Sequence, residues 1–129
     1  DPEVEEVEFH HLPTLLDAHA GLTSCEVHTE VLAVGHPFGL TAARLRDAAR
    51  PLPPRAATTL PASVRVPCPE HLFVHACVHV MWQHMGRKHG WKLFRDLRAI
   101  TTMPDFSWQR VVALALETRA ASCCYWSVV

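Results

Sequence analysis

The sequence predicts an α+β chain: an N-terminal β-hairpin, the remnant of a mixed sheet, followed by a mainly α-helical bundle. Three observations predict it. Cys25, Val27, Thr29 and Val31 alternate with Glu26, His28 and Glu30, a period of 2. The stretch 51–69 holds six of the ten prolines and reads as an extended connector. From Glu70 onward apolar residues recur at helical spacing.

Each element follows from its own residues. Val4–Leu12 alternates imperfectly and forms the first strand; Asp17–Leu22 is a polar, Gly-containing break; Cys25–Val31 is the second strand. One hairpin is marginal in water, so a sheet or helices must cover its apolar side. A short helix runs from about Leu40 to Arg50 with Thr41 as its cap, and Ser63–Val66 suits a short strand. Pro69 and Glu70 suit the first turn of a helix that runs to about Met85 and stops at Gly86. That helix is apolar nearly all round, so it belongs between other elements. Trp91 to about Ile100 forms the next, with Leu93, Phe94, Leu97 and Ile100 on one face. Ser107 caps a third, which turns Trp108, Val112, Ala115 and Leu116 inward, with Phe106 and Val111 as its staple. A fourth starts at Ala120. The parts divide as 1–35 (hairpin), 36–69 (short helix and connector) and 70–129 (bundle).

Composition narrows the function. The chain has 129 residues, 49% hydrophobic and 19% charged, an ordinary globular mix for one domain. Twelve Lys+Arg against 13 Asp+Glu leave a net charge of -1, so no chain-wide cationic field for nucleic acid exists. The apolar run Val111–Leu116 is far short of the roughly 20 residues of a membrane span. Five cysteines, odd in number and without Cys-x-x-Cys, give no disulfide framework or zinc ribbon and point to a reducing cytoplasm. Neither end carries the signals of a natural terminus, and both are expected to be cuts inside a longer protein.

Four groups of residues are candidates for chemistry. His71, His75 and His79 stack at i, i+4, i+8 on the buried helix. They are core histidines bonded to a carboxylate or carbonyl, ligands of a metal, or substrate contacts. Asp96 on the next helix is the natural acidic partner of His75 or His79. The loop Gly86–Gly90 carries Arg87 and Lys88 and is followed by Lys92 and Arg95: solvated surface or a phosphate contact. Glu26 and His28 share one strand face; Glu26 is solvent-facing or a carboxylate that helps hold Mg²⁺. Among phosphoryl-transfer and hydrolase motifs, the chain lacks a strand Asp-x-Asp, a Gly-Ser phosphate loop, a Walker-type lysine motif and Gly-x-Ser-x-Gly.

The order of segments resembles a family of poorly characterised bacterial nucleotidyltransferases. Glu26-Val27-His28-Thr29-Glu30-Val31-Leu32 resembles their "acid, apolar, His" strand. Pro69-Glu70 and His75-Ala76-Cys77-Val78-His79 resemble their Pro-Glu and His-x-x-x-His helix, and Trp91–Leu97 with Asp96 their next. Phe106-Ser107-Trp108 looks like the following helix start, and Arg50-Pro51 sits where they have an Ala-Arg-Pro turn. That family is similar to the polymerase-β-like nucleotidyltransferases. The resemblance spans about residues 9 to 120. It implies transfer of a nucleoside monophosphate from an NTP to an unidentified acceptor, assisted by Mg²⁺. It implies Glu26 as the third catalytic carboxylate and metal ligand; His28, Arg87, Lys88 and Arg95 are the candidate phosphate or acceptor contacts in this reading. The Gly-Ser loop and Asp-x-Asp pair would precede Asp1, so this chain is expected to be inactive alone and to bind no metal by itself. A missing sheet or a partner chain would cover the hairpin. Two other readings stand beside it: a non-catalytic helical binding or regulatory module, and a zinc-binding domain using His75 and His79.

Overall fold

Helices α1 (Ala42–Asp47), α2 (Pro69–Val78), α3 (Gly90–Thr101), α4 (Trp108–Glu117) and α5 (Ala121–Val128) follow a short antiparallel hairpin in the computed structural model, as the α+β expectation requires. The structure describes residues 12, 15–16, 24–25, 27–52, 60–85 and 90–129. The predicted strand Val4–Leu12, apart from Leu12, lies outside them, as do Glu26, Arg87 and Lys88.

The hairpin pairs β1 (Leu15–Leu16) with β2 (Ser24–Cys25), in register Leu15 with Cys25 and Leu16 with Ser24. A backbone bond from Leu12 N–H to the Val27 carbonyl, 2.8 Å, ties the same two segments further along. Alternation in 25–31 predicts one buried and one exposed face. Instead Cys25 and Val27 to Glu30 are all exposed, and only Val31 and Leu32 enter the core. The period is that of a strand, but burial starts only where the chain reaches the helices.

Thr41 caps α1 as expected, its Oγ1 accepting from Arg44 N–H at 3.2 Å. The connector is partly a second ladder, β3 (Arg50–Pro51) against β4 (Arg65–Val66). Arg50-Pro51, matched to a turn by resemblance, is therefore a strand that pairs with the expected strand near Val66.

Helix α2 is the centre of the bundle and packs on α3, α4 and α5. Phe73, Val74, Cys77 and Val78 are buried among them. After Val78 the helix widens into a π-helical turn, His79–Gln83, and ends with Met85 at φ 47°. Nothing in the periodicity predicts the π turn. One extra residue per turn rotates the end of the helix, and Trp82 sits half-exposed, edge-on to Phe38 at 5.4 Å.

Two helix faces differ from expectation. On α3, Leu93, Leu97 and Ile100 are buried, but Phe94 is 64% exposed. On α4 the buried stripe is Val111, Leu114 and Ala115, continued by Thr118 just past the helix, an i, i+3, i+4, i+7 pattern. Val112 and Leu116 point outward, and Trp108 is half-exposed. The helix is turned because Trp108 stands edge-to-face with both Phe73 and Phe106, in a three-ring cluster with centroids 5.1–5.8 Å apart that fixes its start. Ser107 is the N-cap as expected, its Oγ accepting from Arg110 N–H. Gly39 lets the chain pass close to the end of α4: its N–H donates to the Thr118 carbonyl at 2.9 Å, and a Cβ there would meet Thr118 Cα at 3.4 Å.

Candidate functional site

The polar groups of α2 gather at its two ends and are handled in opposite ways. At the N-terminal end Glu70 is almost fully buried. One oxygen, Oε1, accepts from Ser107 N–H at 2.8 Å and from Arg110 Nε and Nη2 at 3.0 and 2.7 Å. Arg110 also bonds the Asp105 carbonyl, and the Asp105 carboxylate pairs with Arg50. Burial alone would raise the Glu70 carboxyl. The Arg110 hydrogen bonds, local backbone N–H groups and the Arg110 charge outweigh it and hold the group below the usual carboxylate range. This latch joins α2 to the start of α4. The sequence marks Glu70 only as a dipole partner; the overlooked signal is an arginine three residues beyond the Ser107 cap, within reach of a buried acid.

At the C-terminal end the polar groups are imidazoles. The Val31 backbone lies beside the His75 ring and favours its protonated form, against the effect of burial. Burial, with the neighbouring His79 and His28, lowers its pKa to about 4, so the ring is neutral at pH 7 and its second nitrogen is an acceptor. The His75 and His79 ring centres lie 5.8 Å apart. His79 Nδ1 bonds Gln83 Oε1, and His79 Nε2 lies 3.1 Å from His84 Nε2. His79 thus meets Gln83 through one ring nitrogen and His84 through the other.

A groove of about 630 Å³ opens beside these rings. His28 and Glu30 line it from the chain after β2, Arg46 from α1, and His75 and His79 from α2 and the π turn beyond it. Glu30 Oε2 also accepts from Ala42 N–H at 3.1 Å, which ties the groove's rim to the start of α1. Three of the sequence-predicted site residues, His28, His75 and His79, thus meet in one place. Arg46 is an addition: nothing in the periodicity marks an arginine on a short surface helix.

Arg95 and Asp96 do not join them. Arg95 lines a separate surface pocket with Trp91, Phe94 and Arg98. The Asp96 carboxylate takes Arg95 as its partner, 3.1 Å away, and neither His75 nor His79. The expected Asp–His bond fails because burying Leu93 and Leu97 sets Asp96 at the edge of the interface, where its immediate neighbour is closer. Asp96 does share a small cavity with His79, Lys92 and Leu93.

His71 stands apart from the groove. Its Nδ1 is 2.8 Å from Cys68 Sγ; burial and the Arg44 charge lower its pKa. All five cysteines are free thiols. A second, mainly apolar cleft of about 240 Å³ lies between α4 and α5, lined by Trp108, Val112, Leu116, Tyr125 and Val128 among others.

Among the described residues no group of three or more His, Cys, Asp or Glu is arranged to hold a metal ion, and Glu26 lies outside them. No helix among them is long and apolar enough to cross a membrane. No protein-family model, curated protein or solved structure matches the chain.

Proposed function

We propose that this chain is the C-terminal portion of a nucleotidyltransferase that moves a nucleoside monophosphate from an NTP to an acceptor in a reducing cytoplasm. One observation carries the reading. The strand motif and the helix motif that resemble the nucleotidyltransferase family, far apart in the sequence, contribute His28, His75 and His79 to the same groove.

The groove's chemistry divides the work. Arg46 is the cation on its wall and suits a phosphate. His75 is neutral and offers an acceptor nitrogen; it suits a hydroxyl of sugar or acceptor rather than a phosphate oxygen. His28 lies on the rim two residues after Glu26, which in this reading orients the attacking hydroxyl or completes the metal site. Mg²⁺ supplies charge neutralisation in the complete protein. The Gly-Ser loop and Asp-x-Asp pair that such a reaction requires are not among the 129 residues, so the chain alone does not transfer nucleotide. Arg87 and Lys88 remain phosphate contacts in this proposal, and Arg95, on a different surface, an acceptor contact.

The test is transfer of label from each NTP, with Mg²⁺ and lysate acceptors, by the protein carrying its upstream sequence. Transfer abolished by Glu26→Gln, together with none by the 129-residue chain, is expected. Transfer indifferent to Glu26→Gln, or none from the longer protein, contradicts the reading. The apolar α4–α5 cleft favours a second reading, a helical binding module, which the latter outcome would support.

A further inference from the structure

Helix α3 buries Leu93, Leu97 and Ile100 against the bundle. At 100° per residue, Trp91, Arg95 and Arg98 fall within about 60° of one another on the opposite side, with Phe94 next to Arg98. Trp91 is 88% exposed, the most of any large apolar side chain described, and Phe94 is exposed too. A single exposed ring would be ordinary surface. Here the two rings and the two guanidiniums line one surface pocket of about 190 Å³.

The cations of this face are available. Arg98 and Lys92 are exposed and make no ion pair among the described residues. Arg95 gives Nε and Nη2 to one Asp96 oxygen, at 3.2 and 3.1 Å, and its Nη1 takes no part in that pair. The helix thus sets Lys92, Arg95 and Arg98 against the single acid Asp96, whereas the chain as a whole carries a net charge of -1. In the sequence Arg87 and Lys88 come shortly before the helix and add charge of the same sign. Attraction of an anion is therefore local to this face.

Rings beside guanidiniums suit a ligand that is both flat and anionic. A nucleic-acid base stacks on an aromatic side chain, and its phosphate pairs with an arginine fork. An aliphatic acidic side chain would leave the rings unused. A face built for a bilayer separates its apolar side from its cationic side. On α3 the arginines stand on the outward line together with Trp91. We infer that Trp91, Phe94, Arg95 and Arg98 bind single-stranded nucleic acid, with a base in the pocket and neighbouring phosphates on the arginines. Binding is tolerant of sequence, because every base has a π face, and it disfavours a duplex, whose bases already stack on one another. The site shares no residue with the histidine groove and does not depend on the nucleotidyl-transfer reading.

The experiment measures fluorescence anisotropy of a labelled single-stranded RNA of mixed sequence, about 12 nucleotides long, with the full 129-residue chain. The natural sequence is compared with Trp91→Ala, Trp91→Phe, Arg98→Gln and, as a control on α5, Trp126→Ala. All three positions are exposed, so the variants keep the core. Trp91→Ala is expected to weaken binding about fivefold or more, the loss of one stacked base, and Trp91→Phe to retain most of it. Arg98→Gln should weaken it at low salt and reduce the slope of log affinity against log salt by about 0.7. Trp126→Ala should leave it unchanged. No binding to the single strand, equal or tighter binding to the same strand in a duplex, or a loss in Trp126→Ala equal to that in Trp91→Ala overturns the proposal. The same proteins are sedimented with vesicles of phosphatidylcholine and phosphatidylserine. Vesicle binding that Trp91→Ala abolishes, in a chain that does not bind the RNA, overturns it in favour of a membrane surface.

Discussion

The two ends of α2 bury polar side chains by opposite means. At Glu70 the charge is kept: an arginine and a backbone N–H converge on one carboxylate oxygen, and the carboxyl titrates lower than usual. At His75 the charge is given up: the ring is buried with other histidines as neighbours, and its pKa falls to about 4. A carboxylate oxygen with three donors is committed to the fold, and the arginine beside it neutralises its charge. A neutral imidazole keeps a bare nitrogen that can accept. The first arrangement locks helices together; the second equips a groove.

The largest expected effect breaks the locked end. Glu70→Ala strips the partner from Ser107 N–H and Arg110 at once. The loss should be about 2–3 kcal/mol by urea unfolding, below that of a fully buried pair because Arg110 is largely exposed. Glu70→Gln should fall between this variant and the natural chain.

The next effect is pH dependence, and the two ends occupy different windows. An unfolded histidine takes up a proton near pH 6.5, whereas native His75 does so only near 4. Between these values the unfolded state binds more protons, so stability falls as pH falls from about 6.5 to 4. The loss is on the order of 2–3 kcal/mol, and His75→Asn should flatten this part of the profile. Glu70 acts lower. Its native pKa lies under the ordinary 4.5, so its contribution is complete above that value and is lost as pH drops through the native pKa. A profile whose 6.5–4 segment is the same in His75→Asn would remove the neutral-ring account.

The smallest effect sharpens the comparison from outside. Asp96→Asn should change stability by less than about 0.5 kcal/mol, as for other exposed ion pairs, because its partner is the exposed Arg95. A loss comparable to that of Glu70→Ala would mean that Asp96 supports the histidines after all.

Much of the fold is legible in the sequence, and the rest is hidden for physical reasons. Helix starts are readable because caps are local chemistry: Thr41, Pro69 and Ser107 each stand where the structure begins a helix. Helix phase is less so. Val112 and Leu116 are as apolar as Val111 and Leu114, and only the Phe73–Phe106–Trp108 cluster decides which pair turns inward. Partner choice is hardest. Sequence spacing favours Asp96 for the histidines, yet the group beside His75 is the Val31 backbone, and backbone groups leave no mark in a sequence. The facing of His79 and His84 is invisible because α-helical periodicity sets residues five apart on different sides; the π turn that aligns them is a property of the fold.

The central claim is that the histidine end of α2 is a neutral, oriented groove wall. The most direct test follows the side-chain nitrogen resonances of His75 from about pH 8 to 3 in metal-free buffer. The account predicts one protonated and one bare nitrogen down to about pH 5, with a midpoint near 4. A midpoint near 6.5, the value of a solvated imidazole, would contradict it.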